Sequence, residues 1–237
     1  MSLLIAPGRI RRLLAQIVAV PVVAVVVVVG VWVAGGLVTD DFRGSVALTA
    51  VWFAIAAGLC LLVAVRSPAL RVPVIATYLV TAGAIGVFLA STTLRDRVVS
   101  ERVVTGAAPA APAPAAPDGT QQAPAPRPRN VELTRGRFTS GEHATRGTAA
   151  IVRLADGRRF LTLTSFSTSP GPDLRVRLAS ARSLDGGGPG AVDLGALKGN
   201  RGDQQYRVPA GVSLRDRAAV IWCRAFSALF GSAVLGR

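Results

Sequence analysis

Three long runs without a charged residue fill the first third of the chain. They are residues 17–38 (IVAVPVVAVVVVVGVWVAGGLV), 46–65 (VALTAVWFAIAAGLCLLVAV) and 72–91 (VPVIATYLVTAGAIGVFLAS). Each is close to or above the roughly 20 apolar residues that carry a helix across a bilayer core. Pro21 and the interior glycines are compatible with membrane helices. The first run follows a basic start (Arg9, Arg11, Arg12), as a secretion signal does, but exceeds the 7–15-residue apolar core of a cleaved signal, so it reads as a retained anchor.

After residue 130 the pattern changes to short apolar stretches broken by turn residues. TAAIVRL (148–154), RFLTLTSF (159–166), LRVRL (174–178), QYRVP (205–209) and AVIWC (219–223) read as strands, separated by ADGRR, STSPGPD and LDGGGPG. Strict alternation in LRVRL predicts one wet and one buried face, while AVIWC, apolar on both, predicts a central strand. VSLRDRA (212–218) reads as a single helical turn. About seven short strands with no long amphipathic helix predict a β-sandwich. Between them, residues 107–128 hold seven prolines interleaved with alanine, a composition that favours polyproline II and reads as a stalk of up to about 70 Å when extended.

The expected organisation is therefore a cytoplasmic N-terminus (1–16), three transmembrane helices (17–91), a Pro/Ala-rich stalk (92–130) and an all-β sandwich-like domain (131–237). Orientation follows from arginines near the spans. Arg9, Arg11, Arg12, Arg66 and Arg71 lie on one side, and Arg43, Arg95, Arg97 and Arg102 on the other. The larger group marks the cytoplasm, which puts the β-domain in the extracytoplasmic space. The spans hold no internal acid or base, which speaks against ion transport.

Charge changes the picture little. Of the net +14, residues 1–130 contribute +6 and residues 131–237 contribute +8. Lys198 is the only lysine, and an arginine bias beside abundant alanine, glycine and valine reflects codon composition. Scattered among acids, these arginines form no concentrated basic face, so nucleic acid is not an expected partner. Anionic lipid or an anionic envelope polymer suits a mildly basic surface better.

Candidate chemistry is sparse. Cys60 falls in the second span and Cys223 in AVIWC, so the β-domain has no cysteine pair for an internal disulfide, though an intermolecular one stays open. Cys223, flanked by Ile221, Trp222 and Phe226, reads either as a small buried hydrophobe or as a single working thiol. Arg224 would favour a thiolate only if both side chains reached one space, and neighbouring strand residues point to opposite faces. His143, the only histidine, lies in FTSGEHATRGT, a loop between the first strands. With Cys223 it offers one nitrogen and one sulfur, a pair of the kind that holds haem or copper. No C-x-x-C-H or C-x-x-C is present, a zinc site lacks ligands, and nine serines of the domain share one histidine without a nucleophile elbow. No metal site is expected. Arg-Gly-Asp at 201–203 reads as a chance tripeptide in a turn, DGGGPG lacks the strand and helix of a phosphate loop, and Asp173 reads as a turn cap.

Four stretches occur together in order: GRFTSGEHATRGTA (136–149), RFLTLTSFSTSPGPDLRVRL (159–178), VDLGALKGNRGDQQYRVP (192–209) and AVIWCRAFSALFGSAVL (219–235). Over residues 131–236 they resemble the DM-thirteen domain, the electron-transfer DM-thirteen family found elsewhere beside DOMON domains. The resemblance implies a β-rich extracytoplasmic domain whose characteristic cysteine, matched by Cys223, works in redox chemistry as a thiol or by holding a prosthetic group such as haem. A histidine of the family pattern matches His143. Two functions are thus expected: electron transfer through Cys223 with a redox partner protein, or a non-catalytic binding or adhesion module in which Cys223 is structural.

Overall fold

The computed structural model describes residues 7–39, 42–107, 129–184, 186, 188 and 190–236. The chain divides into two compact units, Met1–Leu94 with Arg224–Ala228 and Arg95–Cys223 with Leu229–Arg237.

The first unit contains α1 (Pro7–Gly36), α2 (Phe42–Arg66) and α3 (Arg71–Leu94), with a 3₁₀ turn at Pro68–Leu70 before the last. All three are long and apolar enough to cross a membrane. α1 begins ten residues before the first uncharged run, because the basic Arg9–Arg12 turn continues the same helix. Among the described residues, every large apolar side chain with a freely exposed surface lies between Ile10 and Leu94, except Val98 and Val234. An apolar surface of that extent is uncommon on a water-exposed unit. Gly30 lets α1 and α2 approach closely: a Cβ added there would sit 1.8 Å from the Trp52 indole. Tyr78 of α3 donates its hydroxyl to the Phe53 carbonyl at 2.9 Å, which keeps the phenol satisfied within the helical unit.

The second unit is built from two five-stranded sheets. The strands are β1 (Val98–Ser100), β2 (Val131–Arg137), β3 (Thr139–Ser140), β4 (Arg146–Arg153), β5 (Arg159–Ser167), β6 (Leu174–Ser180), β7 (Val192–Ala196), β8 (Arg201–Val208), β9 (Arg217–Cys223) and β10 (Ala228–Val234). One sheet runs β1-β8-β5-β4-β2 and the other β3-β10-β9-β6-β7. Ile151, Leu161 and Leu163 of the first sheet, Val176, Leu178, Ile221 and Phe230 of the second, and Phe166 are almost wholly buried. The five strands read from alternation are present, with β6 alternating buried and half-buried side chains and β9 lying inside its sheet.

Two expectations are corrected. Residues 212–218 form no helical turn: they lead through a turn with Asp216 at φ +51 directly into β9, because pairing with β6 carries the strand back to Arg217, opposite Ser180. The segment 92–130 is not all stalk. β1 pairs in parallel with β8, with Val98, Val99 and Ser100 opposite Arg201, Gly202 and Asp203. Glu101 then bonds Lys198 Nζ at 2.7 and 2.9 Å, and Val104 N–H donates to the Gln205 side chain at 2.9 Å. Ala107 bridges Val131: its N–H donates to the Asn130 carbonyl at 3.1 Å, and Glu132 N–H donates back to its carbonyl at 3.0 Å. The β unit thus begins at Arg95, and the proline-rich residues 108–128 lie outside the described residues.

Candidate functional site

The family-like motifs first show what the fold itself requires. In Gly171-Pro172-Asp173-Leu174 the glycine is needed because a Cβ there would meet Leu174 Cδ2 at 2.9 Å and Phe230 Cζ at 3.0 Å. The Lys198-Gly199-Asn200 turn is held by Gln204, which has no exposed surface. Its amide donates to the Gly199 carbonyl at 2.8 Å and its oxygen accepts the Tyr206 hydroxyl at 2.7 Å. Lys198 N–H in turn donates to the Tyr206 oxygen at 3.0 Å, and burial drives that phenol far above its ordinary pKa. Asn200 ties three segments, accepting Arg97 N–H at 2.6 Å and donating to Asp96 at 2.7 Å and to the Thr168 carbonyl at 3.0 Å.

Arg201-Gly202-Asp203 belongs to this framework. It lies at the start of a strand paired on both sides, not in a turn. Arg201 pairs with Asp96 at 2.9 Å. Gly202 holds φ +99 with Val99 O 1.9 Å from where a Cβ would be. Asp203 accepts Ser165 N–H at 2.7 Å, satisfying a residue at φ +48 in the bulge where β5 and β8 lose register. Each of the three residues has a structural task.

Cys223 ends β9 and has no exposed surface. It lies opposite Leu174 of β6, on the same face as Ile221, which puts it toward the space between the sheets. Arg224, the first residue of the turn after β9, is exposed while Cys223 is buried. Among the described residues, neither Cys60 nor Cys223 is in a disulfide.

His143 is half-buried in the loop between β3 and β4. Its ring stacks on Phe230 of β10, with centroids 4.0 Å apart and planes 25° from parallel. Burial lowers the imidazole's pKa below its ordinary value, with nearby Glu142 opposing that shift. The ring is therefore neutral near pH 7. Since Leu174 and Phe230 both pack at Gly171, and Leu174 pairs with Cys223, the fold gathers Cys223 and His143 at one end of the second sheet with apolar side chains as neighbours. No local pattern signals the Phe230 partner, which lies far from His143 along the chain.

A haem held by Cys223 and His143 does not fit this packing. The thiol is fully buried, the imidazole Nε2 is sealed from solvent, and Gly171 has no room even for a methyl group between Leu174 and Phe230. A planar group of haem's size has no slot there. Among the described residues, no group of three or more His, Cys, Asp and Glu side chains converges. What the arrangement offers chemically is one enclosed thiol and one neutral imidazole in an apolar setting.

A second feature of the β unit is a polar cleft of about 440 Å³ beside the His143 loop. Arg146 and Arg201 line it together with Thr145, Ser167, Thr168 and Ser169. Nothing in the sequence pattern marks it, because its walls come from Asp96 before β1, the end of β3 with the β3–β4 loop, the start of β4, the end of β5 with the residues after it, and the start of β8.

No curated protein and no solved structure matches the chain. Residues 137–235, which span the β unit from the end of β2 to just past β10 and include both His143 and Cys223, match the family model described as Electron transfer DM13.

Proposed function

We propose that this protein is a membrane-anchored electron-transfer component whose β unit faces the extracytoplasmic side, with Cys223 as its redox residue and His143 as a neutral neighbour. The observation that carries this reading is the match of residues 137–235 to an electron-transfer family model, with the one thiol of the β unit inside it. The three apolar helices supply the anchor, and the arginine distribution supports the orientation. A redox partner protein would exchange electrons with the β unit at its surface. Cys223 immediately precedes the Arg224–Ser227 turn, whose last residue sits at φ +45.

The complete burial of Cys223 favours a second reading, a non-catalytic binding module with a packed structural cysteine. Thiol chemistry on the purified full chain separates the two. The redox reading expects Cys223 to be alkylated in the folded protein at a rate set by local opening, and to undergo reversible oxidation. A thiol that reacts only on global unfolding, in a protein with no reversible redox response, overturns it and leaves the binding module.

A further inference from the structure

We infer that the cleft beside the His143 loop is a binding site for a hydroxylated carboxylate, the chemistry of a uronic-acid saccharide. The inference is independent of the redox reading. Four groups on the cleft wall have polar capacity to spare. Arg146 has no ion-pair or hydrogen-bond partner for its guanidinium among the described residues, and neither the Ser167 nor the Ser169 hydroxyl has one. Arg201 spends one edge on Asp96 at 2.9 Å while its side chain stays 55% exposed.

The back of the cleft is rigid and already satisfied. Thr145 and Thr168, each about nineteen-twentieths buried, join hydroxyls at 2.8 Å, and Thr145 also bonds the Phe230 carbonyl at 2.8 Å. Asn200 clamps the Thr168 carbonyl. Open donors thus stand at the mouth of a fixed floor, which favours recognition of a preformed shape.

Charge sets the sign of the ligand. Among the described residues Asp96 is the only carboxylate lining the cleft and it neutralises Arg201, so Arg146 leaves one uncompensated positive charge. A guanidinium presents a planar fork that matches a carboxylate in two parallel hydrogen bonds. Serine hydroxyls both donate and accept, which suits ligand hydroxyls. Ala144 and Pro170 add a small apolar wall against which the C–H face of a sugar ring can lie.

The test is titration of the full chain in detergent with D-glucuronate, D-glucose and inorganic phosphate, read by calorimetry at low and at 0.5 M salt. Glucuronate should bind in the millimolar range and weaken with salt, glucose should bind at least tenfold less tightly, and phosphate should not exceed glucuronate. Arg146→Gln, at an exposed position, should leave the melting temperature unchanged and weaken glucuronate about tenfold. Equal binding of glucose and glucuronate, tighter binding of phosphate, or an Arg146→Gln variant with unaltered affinity would each overturn the assignment.

Discussion

The His143 imidazole and the Phe230 ring lie almost parallel, centroids 4.0 Å apart, across the join between the β3–β4 loop and β10. Burial disfavours the charged ring, so the folded state takes up its proton at lower pH than the unfolded chain does. The unfolded state therefore binds more protons below about pH 6.5, and stability falls as pH drops through that value. Thermal melts between pH 5 and pH 8 should show this loss in the native protein. In His143→Phe, which keeps a ring on Phe230 without a titrating group, the pH dependence in this window should flatten. An unchanged slope would mean that another group governs it.

Gly202 offers a test of β1. A methyl group there collides with the Val99 carbonyl and the residue sits at φ +99, so Gly202→Ala should break the β1–β8 pairing. β4, β6 and β9 do not pair with β8 and should stay folded. Trypsin should then cut at Arg95, Arg97 or Arg102 at least tenfold faster than in the native protein, with little change in β circular dichroism. Equal cleavage rates would show that β1 is not held as described.

These two sites also mark where sequence reading stops. The helices were legible because some 20 uncharged residues have few other uses, and β4, β5, β6 and β9 because alternation and turn residues are local signals. β1 carries only Val98-Val99-Ser100 and depends on partners about 100 positions away: Asn200 for Arg97, Gly202 for Val99, Lys198 for Glu101. No local pattern encodes such pairing. For the same reason Cys223 could be placed in a strand, while its neighbour Leu174 and the His143–Phe230 stack could not be foreseen.

Lys198 and Glu101 form a half-exposed pair, so its removal should cost no more than about 1 kcal/mol. Burial pushes the Glu101 carboxyl up, but the Lys198 and Gln205 hydrogen bonds outweigh this and leave its pKa below the ordinary value. A lowered carboxylate contributes stability that is present above pH 4.5 and lost as pH falls through its folded value. Glu101→Gln should therefore reduce the acid sensitivity of the Arg95–Ala107 segment, measured by amide exchange at Val104 between pH 3 and pH 6.

For Cys223, loss of a buried sulfur in Cys223→Ala should cost about 1–2 kcal/mol, and Cys223→Ser more, since it buries a hydroxyl among apolar neighbours. Urea titrations measure both. Under the proposed redox role, Cys223→Ala also abolishes reversible oxidation while the β unit stays folded. Retention of that response would remove Cys223 from the proposal.

Orientation is tested by a reporter fused after Arg237, which should be active only outside the cytoplasm. Cytoplasmic activity would reverse the assignment of sides.

Ala107 and Val131 are bridged, so the described residues that flank the proline-rich stretch are joined at one point of the first sheet. The separation of its two ends is set by that bridge, whatever the number of residues between them. Lengthening it costs only the entropy of closing a longer ring, roughly 0.6 kcal/mol for each doubling, so insertions and deletions there should be nearly silent. A protease that cuts within 108–128 should open the ring without releasing either side, because Val98–Val104 stays zipped to β8 and Ala107 to β2, and the fragments part only in denaturant.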